Sequence, residues 1–279
     1  MCAKSASTRA SPPNSRSGSR TATTRKSIPT TPSSSCCWKI SPPPGDQLAG
    51  VTVDQTMLAV QQAARIHAAY WGSDQLRGLP WLDISQSYWA RFADEMPAWF
   101  AGFAERYRQH MHPDDIALGT AFAAHMDRYY ARLSAMPFTA QHGDYRPDNV
   151  LFDARGGTVP LAVLDWQTVI FGPGVVDVAY FVGGALDPQV RQEHEMGLLH
   201  AYHSELSELG VDYSFDELVA DYTVTTFQNF VIGVAAAMLV ERSDRGDELF
   251  LSMVTRSLQH AQDSNAAGEL RFDPAPADV

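Results

Sequence analysis

The stretch that most constrains this chain runs from His142 to Gln167. Phe138 to Gln141 is a short apolar run that predicts a strand, and His142, Gly143 and Asp144 turn out of it. Val150 to Phe152 predicts a second strand, Asp153 to Gly157 a hairpin turn, and Leu161 to Leu164 a third strand ending on Asp165. The order sets one carboxylate in a loop (Asp144), an amide five residues later (Asn149) and a second carboxylate at a strand end (Asp165). Phosphoryl transfer from a nucleotide needs such a set. One carboxylate orients the attacking hydroxyl, and further oxygen ligands hold magnesium on the phosphates. Asp144 suits the first task, and Asn149 with Asp165 the second.

Protein kinases carry His-Arg-Asp, four residues, Asn, and then Asp-Phe-Gly. Here the same register holds His142-Gly143-Asp144, Asn149 and Asp165-Trp166-Gln167. The motifs resemble those of the kinase-like small-molecule phosphotransferases, the group of aminoglycoside phosphotransferases, choline kinases and ecdysteroid-kinase-like enzymes. Asp165-Trp166-Gln167 and the segment Gly45 to Leu48 are most similar to the ecdysteroid-kinase-like branch. The resemblance implies an α+β fold class: the mainly helical carboxy-terminal lobe of a protein-kinase-like fold, with a small β-hairpin carrying the catalytic loop. It implies ATP as phosphate donor, Mg2+ as cofactor and a small-molecule hydroxyl as acceptor. Asp144 is then the catalytic base, and Asn149 and Asp165 are the metal ligands. Three residues fall to support of the loop. His142 holds it through backbone hydrogen bonds. Asp177 matches the acid that the family places at a helix start to anchor the loop. Arg146 either pairs with an acid, approaches the phosphate or serves at the surface. Asp148 reads as loop-stabilising, and His67 as a hydrogen-bonded histidine in a helix packed near the loop.

The chain has 279 residues and a formal net charge of −11, which argues against a nucleic-acid partner. That charge is unevenly divided. Residues 1–45 hold seven Lys or Arg and no acid, which leaves 14 basic against 32 acidic side chains, a net of −18, for the remainder. All three cysteines (Cys2, Cys36, Cys37) also fall in the first piece, so the body needs no disulfide and fits a reducing cytoplasm. No apolar run reads as a membrane span.

Residues 1–44 are rich in Ser, Thr, Arg and Pro and lack Leu, Val, Phe and Tyr, so disorder is expected. A targeting peptide is one reading of this piece. Out-of-frame translation is the favoured one. Shifting Cys36-Cys37-Trp38-Lys39-Ile40-Ser41 by two bases forces Leu-Leu-Glu, and common codons continue with Asp-Leu, similar to the interlobe hinge of the family. The family's nucleotide-holding lysine and phosphate-covering loop have no match. The only lysines are Lys4, Lys26 and Lys39. The resemblance thus covers about residues 45–265, and the amino-terminal lobe is expected to be missing, with activity of the chain in doubt. Two rivals stand beside the phosphotransferase: a non-catalytic, pseudokinase-type ligand-binding remnant, and a metal-dependent hydrolase, which would need a richer ligand set such as clustered histidines.

Along the body, Thr52 to Gln55 resembles a capping box opening a helix to about Trp71. Ser87 to Tyr107 predicts a helix broken or kinked at Pro97. Its Tyr88, Trp89, Phe92, Trp99, Phe100 and Phe103 serve either a substrate pocket or the core. Further helices are expected from Pro113 to Leu133, Pro188 to Leu209, Leu218 to Val240 and Asp247 to Gln262. Gly172 to Gly174 reads as a turn, and residues 266–279 as a disordered tail.

Overall fold

Two short antiparallel ladders decide where the site lies. Strand β1 (Phe138–Gln141) pairs with β4 (Ile170–Pro173), from Phe138 opposite Pro173 to Gln141 opposite Ile170. Strand β2 (Val150–Asp153) pairs with β3 (Val159–Val163), with Val150 opposite Val163. Residues 142–169 are therefore one excursion, closed at its base by β1 and β4 and carrying the β2–β3 hairpin within it. The hairpin and β1 agree with expectation. Strand β4 does not: Gly172 and Pro173, expected in a turn, end a strand. Proline costs least at the end of a short edge strand, where its missing N–H is not needed by the ladder.

The computed structural model describes residues 44–82 and 85–274. Residues 1–43, with the low-complexity, targeting and frame-shift readings, lie outside the described residues, as do residues 275–279.

Everything around the ladders is helical. The Val53–Ala69 helix opens on the expected capping box: the Gln55 N–H donates to Thr52 Oγ1 at 3.2 Å, and the Thr52 N–H donates to Gln55 Oε1 at 2.9 Å. Ser214 and Glu217 repeat the device ahead of the Phe215–Thr225 helix. The Ser85–Tyr107 helix runs through Pro97 unbroken. Met96, Phe100 and Phe103 lie buried in the core beside it, and that burial outweighs the lost backbone hydrogen bond.

Two expected single helices are each divided. Pro113–Ala124 and Met126–Ala135 meet at His125, whose Nδ1 bonds to the Ala121 carbonyl oxygen at 2.8 Å. Phe215–Thr225 and Gln228–Leu239 meet at Thr226 and Phe227. This last apolar stretch has the length and hydropathy of a membrane crossing, but 72% of its apolar window is buried in the protein. Phe227 stacks on Phe122 there, at 3.8 Å between ring centroids. The remaining longer helices are Val175–Ala185, Pro188–Glu208 and Asp244–Asp263. Residues 266–274, expected to be part of a disordered tail, are ordered. Ala266–Glu269 is a short helix, and Ala266, Leu270 and Phe272 are buried against the core.

Candidate active site

The site begins where β1 ends. The chain turns at Gly143 with φ +84°. A Cβ there would lie 2.5 Å from the Thr168 carbonyl oxygen, so only glycine fits the turn. The Asp177 carboxylate, 1% exposed, holds the turn from beneath. It accepts the His142 N–H at 2.6 Å and the Gly143 N–H at 3.0 Å. Its Oδ2 also lies 3.2 Å from His67 Nε2, and His67 Nδ1 meets the Tyr202 hydroxyl at 2.8 Å. Asp177 sits in the first turn of the Val175–Ala185 helix, where the helix dipole favours a negative charge. The His142 ring bridges two parts of the excursion. Its Nε2–H donates to the Leu164 carbonyl at 2.7 Å, while Nδ1 accepts the Asp144 N–H at 3.3 Å. Those two bonds define its tautomer and tie the loop to the end of β3.

Asp144 is surrounded by donors. Oδ1 accepts the Tyr180 O–H at 3.1 Å, and Oδ2 accepts an Asn149 amide N–H at 2.8 Å and faces Arg146 Nε at 3.3 Å. Burial pushes the Tyr180 phenol well above its ordinary pKa, and the Asp144 charge adds to this, so Tyr180 remains a donor. Burial alone would lower the Arg146 pKa, but the acids Asp144 and Asp148 outweigh it and raise the value overall. The Arg146 Nη1 also reaches Gln47 Oε1 and Asp148 Oδ2, each at 3.4 Å. Asp148 accepts the Gln47 N–H at 3.2 Å and lies 3.6 Å from Arg245, which also pairs with Asp46 at 3.3 Å. Arg146 thus pairs with acids, and Asp148 joins the loop to the segment at Gly45–Leu48.

Asn149 closes the turn Pro147–Asn149. Its amide nitrogen donates to both Asp144 O and Asp144 Oδ2 at 2.8 Å, which leaves the amide oxygen uncommitted among the described residues. The Leu164 N–H donates to Asn149 O at 2.8 Å, so the β2–β3 register brings Asp165 to the same end of the hairpin. Asp165 is exposed, has φ +55°, and among the described residues accepts only Gln167 Nε2, at 3.4 Å. Asp144 and Asn149 are therefore in contact, while Asp165 is beside them without a direct bond.

Two oxygen donors, one neutral and one anionic, fit magnesium, which keeps several waters and completes its shell with phosphate oxygens. Among the described residues no three His, Cys, Asp or Glu side chains gather as a metal cage. The richer set that a metal-dependent hydrolase would need is thus not assembled there.

Gly143, Asp144 and Arg146 line a cavity of about 580 Å³. Its other walls are mostly apolar, among them Trp89, Val176, Ile232, Leu249 and Phe250. Of the six aromatic residues with two possible roles, Tyr88 and Trp89 line this cavity, Trp89 being also part of the core, while Phe92, Phe100 and Phe103 are core and Trp99 packs against it. Sequence reasoning missed Tyr180. A tyrosine three residues after Asp177 in an otherwise apolar helix was the available signal.

The model of the ecdysteroid kinase-like family matches residues 44–212. A solved structure from Ralstonia eutropha JMP134, named as an aminoglycoside phosphotransferase, is similar at 18% identity and a TM-score of 0.43, over 78% of this chain and 69% of that one. A likeness that distant carries no argument about the site. No curated protein matches the chain.

Proposed function

The chain belongs to the ecdysteroid kinase-like family, and from that premise we propose that it transfers the γ-phosphoryl group of ATP to a hydroxyl of a small, largely apolar molecule. The observation that carries this reading is the position of Asp144. Its carboxylate lines the 580 Å³ cavity and is bonded to Asn149, at the hairpin end that also bears Asp165. The acceptor alcohol occupies the cavity and donates its O–H to Asp144. As the alcohol oxygen bonds to phosphorus, the bond to the ADP oxygen breaks and the proton passes to the carboxylate. Tyr180 and Arg146 hold that carboxylate in place, and Asp177 holds the backbone that presents it. Bound magnesium would neutralise phosphate charge, with Asn149 and Asp165 as its protein ligands.

Asp144 is the single acid among the residues lining the cavity, and it is already paired. No free carboxylate there awaits a cation, so the cavity suits a neutral alcohol better than a polycation. Phosphate transfer from labelled ATP tests the assignment: Asp144→Asn and Asp165→Ala should each lower it by about 10²–10⁴-fold. Turnover retained in either variant would sink it. A second reading, a non-catalytic ligand-binding protein, is favoured by one fact. Residues 45–279 contain no lysine to hold nucleotide phosphates. Magnesium-dependent ATP turnover separates the two.

A further inference from the structure

One wall of the cavity differs from the rest. Ile232, Ala236 and Val240, four residues apart along the Gln228–Leu239 helix and its end, line it together with Leu249, Phe250 and Met253 of the Asp244–Asp263 helix. The turn between those helices is bare: residues 239–245 are all exposed, and Leu239 and Val240 by more than half. Val240 thus lines the cavity and meets solvent, so the cavity opens at this turn. The turn is held on two sides. Toward the Ser85–Tyr107 helix the hold is dense. Asp247 receives Arg106 Nη2, the Tyr107 O–H at 2.8 Å and Arg242 Nε at 2.7 Å, and Arg106 Nη1 donates to Ala237 O at 2.7 Å.

Toward the loop that carries Asp144 the hold is ionic and thin. Arg245 Nη2 lies 3.3 Å from Asp46 Oδ1 and 3.6 Å from Asp148 Oδ1. The Arg245 side chain is 58% exposed, and ion pairs so long and so wet contribute little. Both acids are fixed by other groups. Asp46 Oδ1 accepts the Leu48 N–H at 2.9 Å, and Asp148 Oδ2 accepts the Gln47 N–H at 3.2 Å and faces Arg146 Nη1 at 3.4 Å. Arg245 is therefore the member of the set that can let go and return. Its place closes a ring. It stands one helical turn before Leu249, Asp148 stands two residues after Arg146, and both Leu249 and Arg146 line the cavity. The ion pair joins two cavity walls on the side that faces solvent.

We infer that Arg245 is a clasp across the mouth of the cavity, and that a ligand enters when Arg245 releases Asp46 and Asp148. The clasp is closed over the empty and the filled cavity alike. It therefore sets the rates of entry and exit and leaves the affinity unchanged. The inference requires that the cavity take a ligand, and does not require that the ligand be phosphorylated.

The test needs neither ATP nor magnesium. A neutral probe separates a clasp from charge steering, because salt alters the approach of charged ligands. Stopped-flow fluorescence follows prodan, a neutral naphthalene dye, entering the full 279-residue chain. Association and dissociation rates should each rise about two- to fivefold between roughly 10 mM and roughly 500 mM NaCl, as screening loosens the pair. Arg245→Ala should be equally fast at low salt and lose the salt dependence, with the dissociation constant unchanged within about twofold. Arg245→Lys keeps the charge and should keep slow, salt-dependent entry. Asp46→Asn keeps the oxygen that its own turn uses, removes part of the clasp, and should fall between. Ile232→Trp fills the cavity and should abolish the dye signal, with folding of every variant checked by melting. Rates that ignore salt in the unaltered chain overturn the inference. So does an Arg245→Ala variant that changes affinity without changing rates, and so does dye binding that is absent or survives Ile232→Trp. A clasp that behaves as expected in a chain that transfers no phosphate upholds the inference and defeats the catalytic reading alone.

Discussion

Asp177 and Gly143 form a single device: the glycine lets the loop turn, and the carboxylate receives the two N–H groups that the turn exposes. Replacing Asp177 by Ala leaves both donors and His67 Nε2 without a partner in a buried place. The expected cost is about 3–5 kcal/mol, measured by denaturant unfolding, with a loss under 1 kcal/mol counting against this account. Gly143→Ala places a Cβ 2.5 Å from the Thr168 oxygen in left-handed backbone. It should cost about 1–3 kcal/mol and displace Asp144, so phosphate transfer should fall more than stability does. At this scale much was legible beforehand. Asp144, Asn149 and Asp165 stand at intervals that a hairpin brings to one end, and local spacing is what a sequence displays. Tyr180 was not legible. Its hydroxyl meets Asp144 across 36 positions of chain, and a tyrosine in an apolar helix reads as core until that contact is seen.

Among the elements, the Val175–Ala185 helix does most to organise the site, since one turn of it presents both Asp177 to the loop backbone and Tyr180 to the carboxylate. Helices with capping boxes were readable because a cap is a local event: Thr52 with Gln55, Ser214 with Glu217. Breaks inside continuous apolar periodicity were not, because His125 and Phe227 interrupt their helices through tertiary packing without any Gly or Pro signal. Strand β4 was hidden for the opposite reason, since its Gly172 and Pro173 imitate a turn until β1 is placed opposite. The order of residues 266–274 follows from a few apolar residues in a polar stretch. Phe272 packs on Phe122 and Phe227 and stacks on His125 at 5.2 Å. Phe272→Ala should therefore lower stability by about 3 kcal/mol, read as a fall in melting temperature. A disordered tail would predict no change.

Across the whole molecule, charge sets two further expectations. Buried Arg191, His260 and Tyr222 form a network with part-buried Glu195 and, at its exposed edge, Asp263, joining the Pro188–Glu208, Phe215–Thr225 and Asp244–Asp263 helices. Burial would raise the Glu195 carboxyl, but the His260 and Tyr222 hydrogen bonds and the Arg191 charge outweigh it and hold the value at about 2, below its ordinary 4.5. Burial lowers His260 from its ordinary 6.5, so it remains the neutral donor to Glu195. Both groups take up protons more readily in the unfolded chain, so stability should decline as pH falls below 6.5 and further between 4.5 and 2. Thermal melts from pH 7 downward check this, and Glu195→Gln should flatten the lower part of the curve. The second expectation concerns nucleotide. Phosphate binding needs cations, and the two arginines that meet the acids of the loop are already paired: Arg146 with Asp144 and Asp148, Arg245 with Asp46 and Asp148. Residues 46–279 add a net charge of −18 and no lysine, so the field around the site repels a polyphosphate. Magnesium offsets part of that repulsion but cannot replace a positioned cation, because positioning with electrostatics is nearly all of this catalysis. The 279-residue chain should accordingly bind ATP–magnesium only weakly, with a dissociation constant on the order of millimolar, about −4 kcal/mol. Calorimetry measures it directly. Micromolar affinity would mean that a phosphate-holding group exists beyond the arginines described, and would strengthen the catalytic reading over the ligand-binding one.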